Sequence, residues 1–292
     1  MITASLVKEL REKSGAGMLD CKKALEANNG DINASMDWLR EKGISKAAKK
    51  ADRIAAEGVA AILAKDNKAV IIEVNAETDF VAKNEQFTDM VNVILETILN
   101  NDVTTLEEAL KLNTNEGTIE ELIVARTATI GEKLSFRRME VVTKKDSESF
   151  GDYIHMGGKI AVLTVVEGAS SEVAKDVSMH AAAMKPVYVK SEDVPTDVLD
   201  KEKEIMREQL LNEGKPAERI EGILVGKIKK YYEEVCLENQ IFVKAENKET
   251  VAEFVKNNGG TITTMIRFEV GEGMQKREEN FAEEVAKQMQ GN

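Results

Sequence analysis

Cysteine, histidine and aromatic residues are scarce in this chain of 292 residues. The two cysteines, Cys21 and Cys236, lie far apart, so no disulfide framework follows, which fits a reducing compartment. The two histidines, His155 and His180, share no zinc-like spacing with them, and neither a metal site nor a cofactor is expected. Aromatics make up only 4% of the residues, so the core must be built from Ala, Val, Ile, Leu and Met. The 12 Met residues are adaptable packers, useful in cores and at partner surfaces alike. No apolar run approaches the roughly 20 residues of a membrane span. The first helical pattern begins near Thr3 with no signal or transit segment ahead of it, so a cytoplasmic protein without a membrane partner is expected. There is no G-x-x-x-x-G-K-[ST] phosphate loop and no evident nucleophile–base pair. Gly15-Ala-Gly17 lacks the preceding strand of a dinucleotide fingerprint, and no covalent catalysis is expected.

Charge of one sign dominates. The net charge of −12 argues against nucleic acid as the main partner. Residues 1–53 nevertheless hold 11 Lys/Arg against 8 Asp/Glu, a net of +3, which leaves 29 against 44, a net of −15, for the remainder. A basic head on an acidic body points either to two functional surfaces or to a solvated helical face.

Residues 1–53 read as three short helices. Thr3 can cap the first, which carries Leu6, Val7 and Leu10 on one face. Cys21, Ala24 and Leu25 mark the second, ended by Asn29-Gly30. Asp31 can cap the third, with Ile32, Met36 and Leu39 on one face, Trp38 nearby and Gly43 as its stop. A basic linker, Lys46-Ala-Ala-Lys-Lys-Ala-Asp-Arg53, follows. The three-helix unit is similar to a ubiquitin-associated fold.

The middle of the chain repeats itself. Val81-Ala-Lys83 recurs as Val173-Ala-Lys175, 92 residues on, and at that offset Val70 matches Val162, Val74 matches Val166 and Phe87 matches Met179. Each copy reads as strand, turn and helix, and each closes on an alternating strand-like run, residues 134–141 and 263–270. The fold class expected is α+β: two related subdomains, 54–142 and 143–274, each a small antiparallel sheet covered by helices on one face. Residues 196–213 and 216–235 are helical in pattern and separated by Gly214-Lys-Pro216, which reads as an antiparallel helical hairpin inserted in the second copy. In residues 275–292, Phe281, Val285 and Met289 recur every fourth residue, a helical stripe that needs a surface to cover.

The most informative stretch is Thr78-Asp79-Phe80-Val81-Ala82-Lys83-Asn84-Glu85. It lies between a strand-like run, residues 69–75, and a helix-like run from Glu85 to about Leu99. A carboxylate and a large ring thus sit side by side at a strand-to-helix corner, and such corners often carry function. The plainer reading is that Phe80 caps the core and Asp79 caps the helix. The second copy has Ser171-Glu172 in place of Asp-Phe, an asymmetry that favours function.

The octet resembles the central signature of bacterial translation elongation factor Ts, the nucleotide-exchange factor of elongation factor Tu. Residues 6–25, with Ser14-Gly-Ala-Gly-Met-Leu-Asp-Cys21, are similar to the opening segment of that family. Lys46-Ala-Ala-Lys-Lys-Ala51, His180-Ala-Ala-Ala-Met-Lys-Pro186 and Ile266-Arg-Phe-Glu-Val-Gly-Glu-Gly273 also resemble it, in the family's order and over essentially the whole chain. The resemblance implies release of GDP from elongation factor Tu, with no cofactor, no covalent step and no direct nucleic-acid contact. It implies that Thr78, Asp79, Phe80 and Val81 reach the partner's Mg²⁺ region, and that Arg11, Met18 and Leu19 touch its GTPase domain. Leu19 stands where the family has the second residue of a Met-Met pair, a departure that keeps an apolar shape. His155, with Gly157 and Gly158, is implied to face another domain of the partner, and Phe281 and Val285 to belong to a terminal module on the GTPase domain. A homodimer within a larger complex is left open, as is dimerisation through the hairpin. The plainer readings are core packing for Met18, a turn for His155 and a satisfied core or helix-face position for His180. Two other functions stay open: a ubiquitin-associated-like adaptor without exchange activity, and an RNA binder resting on the Lys42–Arg53 basic cluster.

Overall fold

In the computed structural model, which describes residues 2–14, 16 and 18–275, three helices come first: α1 (Ala4–Ser14), α2 (Met18–Ala27) and α3 (Ile32–Ala48). There follow β1 (Glu57–Lys65), β2 (Lys68–Ala76), α4 (Asp79–Ala82), α5 (Glu85–Leu99), α6 (Leu106–Leu110), β3 (Asn113–Thr114), β4 (Gly117–Thr118), α7 (Ile119–Ile130) and β5 (Ser135–Thr143). The second half holds β6 (Glu148–His155), β7 (Ile160–Glu167), α8 (Ser171–Met184), α9 (Thr196–Asn212), α10 (Ala217–Val235), α11 (Val251–Asn257) and β8 (Thr261–Glu269). This mixture of helices and small sheets is the α+β class expected. The described residues of Met1–Val59, Ile72–Met139 and Val270–Asn292 form one compact unit, and those of Ala60–Ile71 and Glu140–Glu269 a second.

The helical head of the first unit follows its sequence signals closely. Thr3 Oγ1 accepts the Leu6 N–H at 3.3 Å and Asp31 Oδ1 the Ala34 N–H at 2.9 Å, so both expected caps form. Asn29 and Gly30 take left-handed φ angles of 53° and 87° beyond α2. Leu10, Cys21, Ala24 and Leu25 are its buried centre, with Leu6, Val7, Ile32, Met36, Trp38 and Leu39 packed around them. One expectation is corrected: Gly43 does not stop α3, which continues to Ala48. Its missing side chain serves close approach instead, since a Cβ there would lie 3.4 Å from Ala128 Cβ on α7. Arg40 adds an ion pair to Glu121 at the start of α7.

Phe87, Met90, Val91, Ile94, Leu95 and Ile98 recur three and four apart and bury one face of α5. α7 packs against both α3 and α5, so its apolar residues are spread around it and no single stripe marks it in the sequence. Glu73 lies fully buried on β2, where it accepts from Arg137 Nη1 at 2.9 Å, Arg138 Nε at 2.5 Å, Asn75 Nδ2 at 3.0 Å and the Gly271 N–H at 2.9 Å. Burial alone would push its carboxyl up; the hydrogen bonds from Gly271, Asn75, Arg137 and Arg138 together outweigh that and hold it below the ordinary carboxylate range.

In the second unit β7 lies between β6 and β8, antiparallel to both. α8 packs on β6 and β7, and Gly151 permits the contact, because a Cβ there would come 2.1 Å from the Ala174 carbonyl carbon. Val162 and Val166 on β7 are fully buried, as are their counterparts Val70 and Val74 on β2, which likewise is the central strand of the order β1-β2-β5. α9 and α10 form the expected helical pair, closed by Leu210, Ile220 and Leu224 and by the Arg207–Glu221 ion pair at 2.9 Å.

His180 on α8 is fully buried, the structural alternative of its two readings. Its Nδ1 accepts the Val243 N–H at 3.2 Å, so Nε2 carries the proton and donates to Gln240 Oε1 at 3.0 Å. Burial lowers its pKa, and the Gln240 bond offsets this only in part. A base whose folded pKa lies below its unfolded value contributes stability that is complete above the unfolded pKa and is lost as pH falls through the folded one. NMR titration of the ring is therefore expected to give a pKa below about 6.5, with urea-unfolding free energy declining as pH drops beneath that value. A ring that titrates at or above it would contradict this.

Candidate functional site

The strand-to-helix corner forms where the sequence places it. β2 ends at Ala76, and Thr78 becomes the N-cap of the four-residue α4, its hydroxyl oxygen accepting the Val81 N–H at 3.4 Å. The capping role expected of Asp79 in the plainer reading thus belongs to Thr78; Asp79 occupies the first turn and pairs with Lys83 at 3.1 Å. Asn84 then caps α5 by accepting the Gln86 N–H at 2.9 Å. Two helix starts within seven residues make an abrupt bend that leaves Ala82 and Phe87 buried. Phe80 points the other way and is 81% exposed, so it does not cap the core. Val81 is half-buried. An exposed benzyl side chain on a capped turn is available to a partner and contributes little to this fold.

The loop between α7 and β5 and the linker after α3 hold this corner. Glu132 Oε2 accepts the Thr78 N–H at 3.0 Å and Oε1 the Thr78 hydroxyl at 2.8 Å. Glu77 accepts the Lys133 N–H at 2.6 Å and pairs with Arg53 at 3.2 Å, and Lys133 Nζ donates to the Ala51 carbonyl at 2.5 Å. None of these partners was legible in the sequence: they lie more than 20 residues apart and no local pattern couples them. The one signal nearby was Gly131, whose φ of 90° ends α7 and turns the chain toward Thr78.

A second set of expected residues flanks the junction of α1 and α2. Arg11 lies exposed in the last turn of α1, and Met18 and Leu19 open α2 at 59% and 74% exposure. Core packing of Met18, its plainer reading, does not occur. Ser14 Oγ accepts the Ala16 N–H at 3.2 Å, and the buried Cys21 thiol donates to the Ala16 carbonyl at 3.6 Å, which ties the junction from inside.

In the second unit, His155 ends β6, half-buried and stacked on Tyr153 with a Tyr153 Oη to His155 Nδ1 distance of 3.2 Å. Met156, Gly157 and Gly158 follow with φ of 50°, 65° and 95°, a left-handed turn that the two glycines make easy. The Gly158 carbonyl accepts the Ala60 N–H at 2.7 Å, which ties the turn to β1. Ile154 and Met156 stand exposed on either side of His155. Phe281 and Val285, with the rest of the expected C-terminal helix, lie outside the described residues. Among the described residues no group of three or more His, Cys, Asp or Glu could hold a metal ion, and no helix is long and apolar enough to cross a membrane.

The family model described as elongation factor TS matches residues 77–272, more than half of the chain, and takes in the Thr78–Val81 corner and the His155 turn. The chain therefore belongs to the elongation factor Ts family, the nucleotide-exchange factors of elongation factor Tu.

Proposed function

We propose that this chain drives GDP off elongation factor Tu by inserting Phe80 between two elements of the partner beside its Mg²⁺ site, with Asp79 approaching the network that supports the ion. The supporting observation is the ring of Phe80, 81% exposed on a helix of four residues. Mg²⁺ neutralises the β-phosphate, so disturbing its ligands raises the energy of bound GDP, and the phosphate-loop contacts loosen next. The exchange factor then leaves as GTP enters. No bond is made or broken in this cycle. The remaining contacts spread affinity along the molecule: Arg11, Met18 and Leu19 on the GTPase domain, His155 with Gly157 and Gly158 on another domain, and Phe281 and Val285 as a terminal module. In this reading residues 1–53 are the partner-binding head with its basic linker, 54–142 and 143–274 the two core subdomains, the latter with its coiled-coil hairpin at about 196–235, and 275–292 the terminal module of a cytoplasmic translation factor.

The thermodynamic core of the reading is linkage. A factor that displaces nucleotide must bind the empty GTPase more tightly than the GDP form, and GDP must weaken the factor by the same ratio. Calorimetry against nucleotide-free and Mg²⁺·GDP-loaded elongation factor Tu is expected to give affinities at least about a hundredfold apart, near 2.7 kcal/mol of coupling. Equal affinities would overturn the proposal, because a ligand that binds both states alike shifts nothing.

A further inference from the structure

Phe80 does not set its own direction. α4 has four residues, far short of what a helix needs to hold itself, so its orientation comes from whatever grips its first turn. That grip is Glu132. One carboxylate takes both donors of Thr78, the backbone N–H at 3.0 Å and the hydroxyl at 2.8 Å. By accepting the hydroxyl proton it leaves the Thr78 oxygen free to accept the Val81 N–H, so the cap and the clasp reinforce each other. Glu77, the residue before Thr78, grips in the opposite direction through the Lys133 N–H and Arg53. The backbone on both sides of the corner is thus tied by charge-assisted bonds, the strong kind.

The second copy of the repeat provides an internal comparison. Ser170, 92 residues beyond Thr78, caps α8 in the same way by accepting the Val173 N–H at 3.4 Å. There, Ala169 stands at the position matching Glu77. The corner is closed by backbone packing: a Cβ at Gly168 would lie 2.7 Å from the Gly259 carbonyl oxygen, and one at Gly260 2.6 Å from Ala169 Cβ. That helix runs 14 residues without a break and presents Ser171-Glu172 where the first copy presents Asp79-Phe80. A strand-to-helix corner of this kind can therefore be closed without the paired carboxylates, and they occur in the copy that bears the exposed ring.

We propose that Glu132, supported by Glu77, is a positioning residue that fixes the angle at which α4 presents Phe80. The inference rests on the exchange reading above. GDP release from elongation factor Tu would be followed with wild type, Glu132→Ala, Glu132→Gln, Phe80→Ala and the double variant Phe80→Ala/Glu132→Ala. Glu132→Ala is expected to lower the maximal rate about tenfold while the half-saturating concentration stays within about twofold, because docking by the other surfaces is untouched. Glu132→Gln keeps one acceptor oxygen and is expected to lose less; it carries the same comparison should the alanine variant fold poorly. In the Phe80→Ala background, loss of Glu132 is expected to have no further effect. A maximal rate unchanged by Glu132→Ala would overturn the positioning role. So would equal fractional losses in both backgrounds, which mark a general structural residue. A wild-type protein that fails to accelerate release would instead overturn the exchange reading itself, and this proposal with it.

Discussion

Replacing Phe80 by alanine is expected to slow stimulated GDP release about ten- to a hundredfold while moving the unfolding temperature by less than about 1 °C. The two halves of this expectation come from the same observation. Burying an aromatic ring against a partner is worth about 1.5–3 kcal/mol, which converts to those rate factors if the contact forms on the path to release. The ring is 81% exposed in the free protein, so its removal opens no cavity in the fold. Differential scanning calorimetry beside the exchange assay separates the two. A matched loss of stability and rate would restore Phe80 to the core and remove the wedge. The half-saturating concentration should change less than the rate, since Met18, Leu19 and the His155 turn still dock.

The second large effect concerns the fold. Glu73→Ala is expected to destabilise the protein by about 3 kcal/mol in urea unfolding, because it strands two guanidinium groups around a buried gap. Arg137 and Arg138 keep part of their side chains in water, which holds the cost to the lower end of the range for a broken buried pair. The same cluster gives an acid limit. The Glu73 carboxyl has a folded pKa below its ordinary value of 4.5. Its contribution is therefore present in full above that value and is lost as pH falls through the depressed folded pKa. Wild type should lose stability over that acid range more steeply than Glu73→Ala, and parallel pH curves would contradict the assignment.

Local signals were legible in the sequence wherever one face of one element carried the information. α5 shows a clean spacing of three and four, and its ends at Glu85 and Leu99 are those the pattern predicts. The hairpin was delimited by Gly214 and Pro216, the head by Thr3, Asp31 and Asn29-Gly30. The repeat at 92 residues aligned Val70 with Val162 and Val74 with Val166, and these pairs lie on the strands β2 and β7; the caps Thr78 and Ser170 were not among its signals. What escaped was whatever depends on a second segment. α7 has buried residues facing two neighbours, so its pattern carries no single period. Gly43 has the chemistry of a stop, but packing against Ala128 overrides it. The Glu132–Thr78 clasp and the Glu73 cluster join residues tens of positions apart through charges that look like ordinary solvated ones. Resemblance to known motifs pointed to the corner; the exposure of Phe80 and the grip of Glu132 on Thr78 are visible only in the folded structure.

Stopped-flow release of a fluorescent GDP from elongation factor Tu, with the protein added at rising concentration, tests the central claim most directly. Strong acceleration that saturates and is reversed by excess Mg²⁺·GDP is expected, as linkage requires. Release at the spontaneous rate from a partner that still binds and exchanges nucleotide on its own would contradict it.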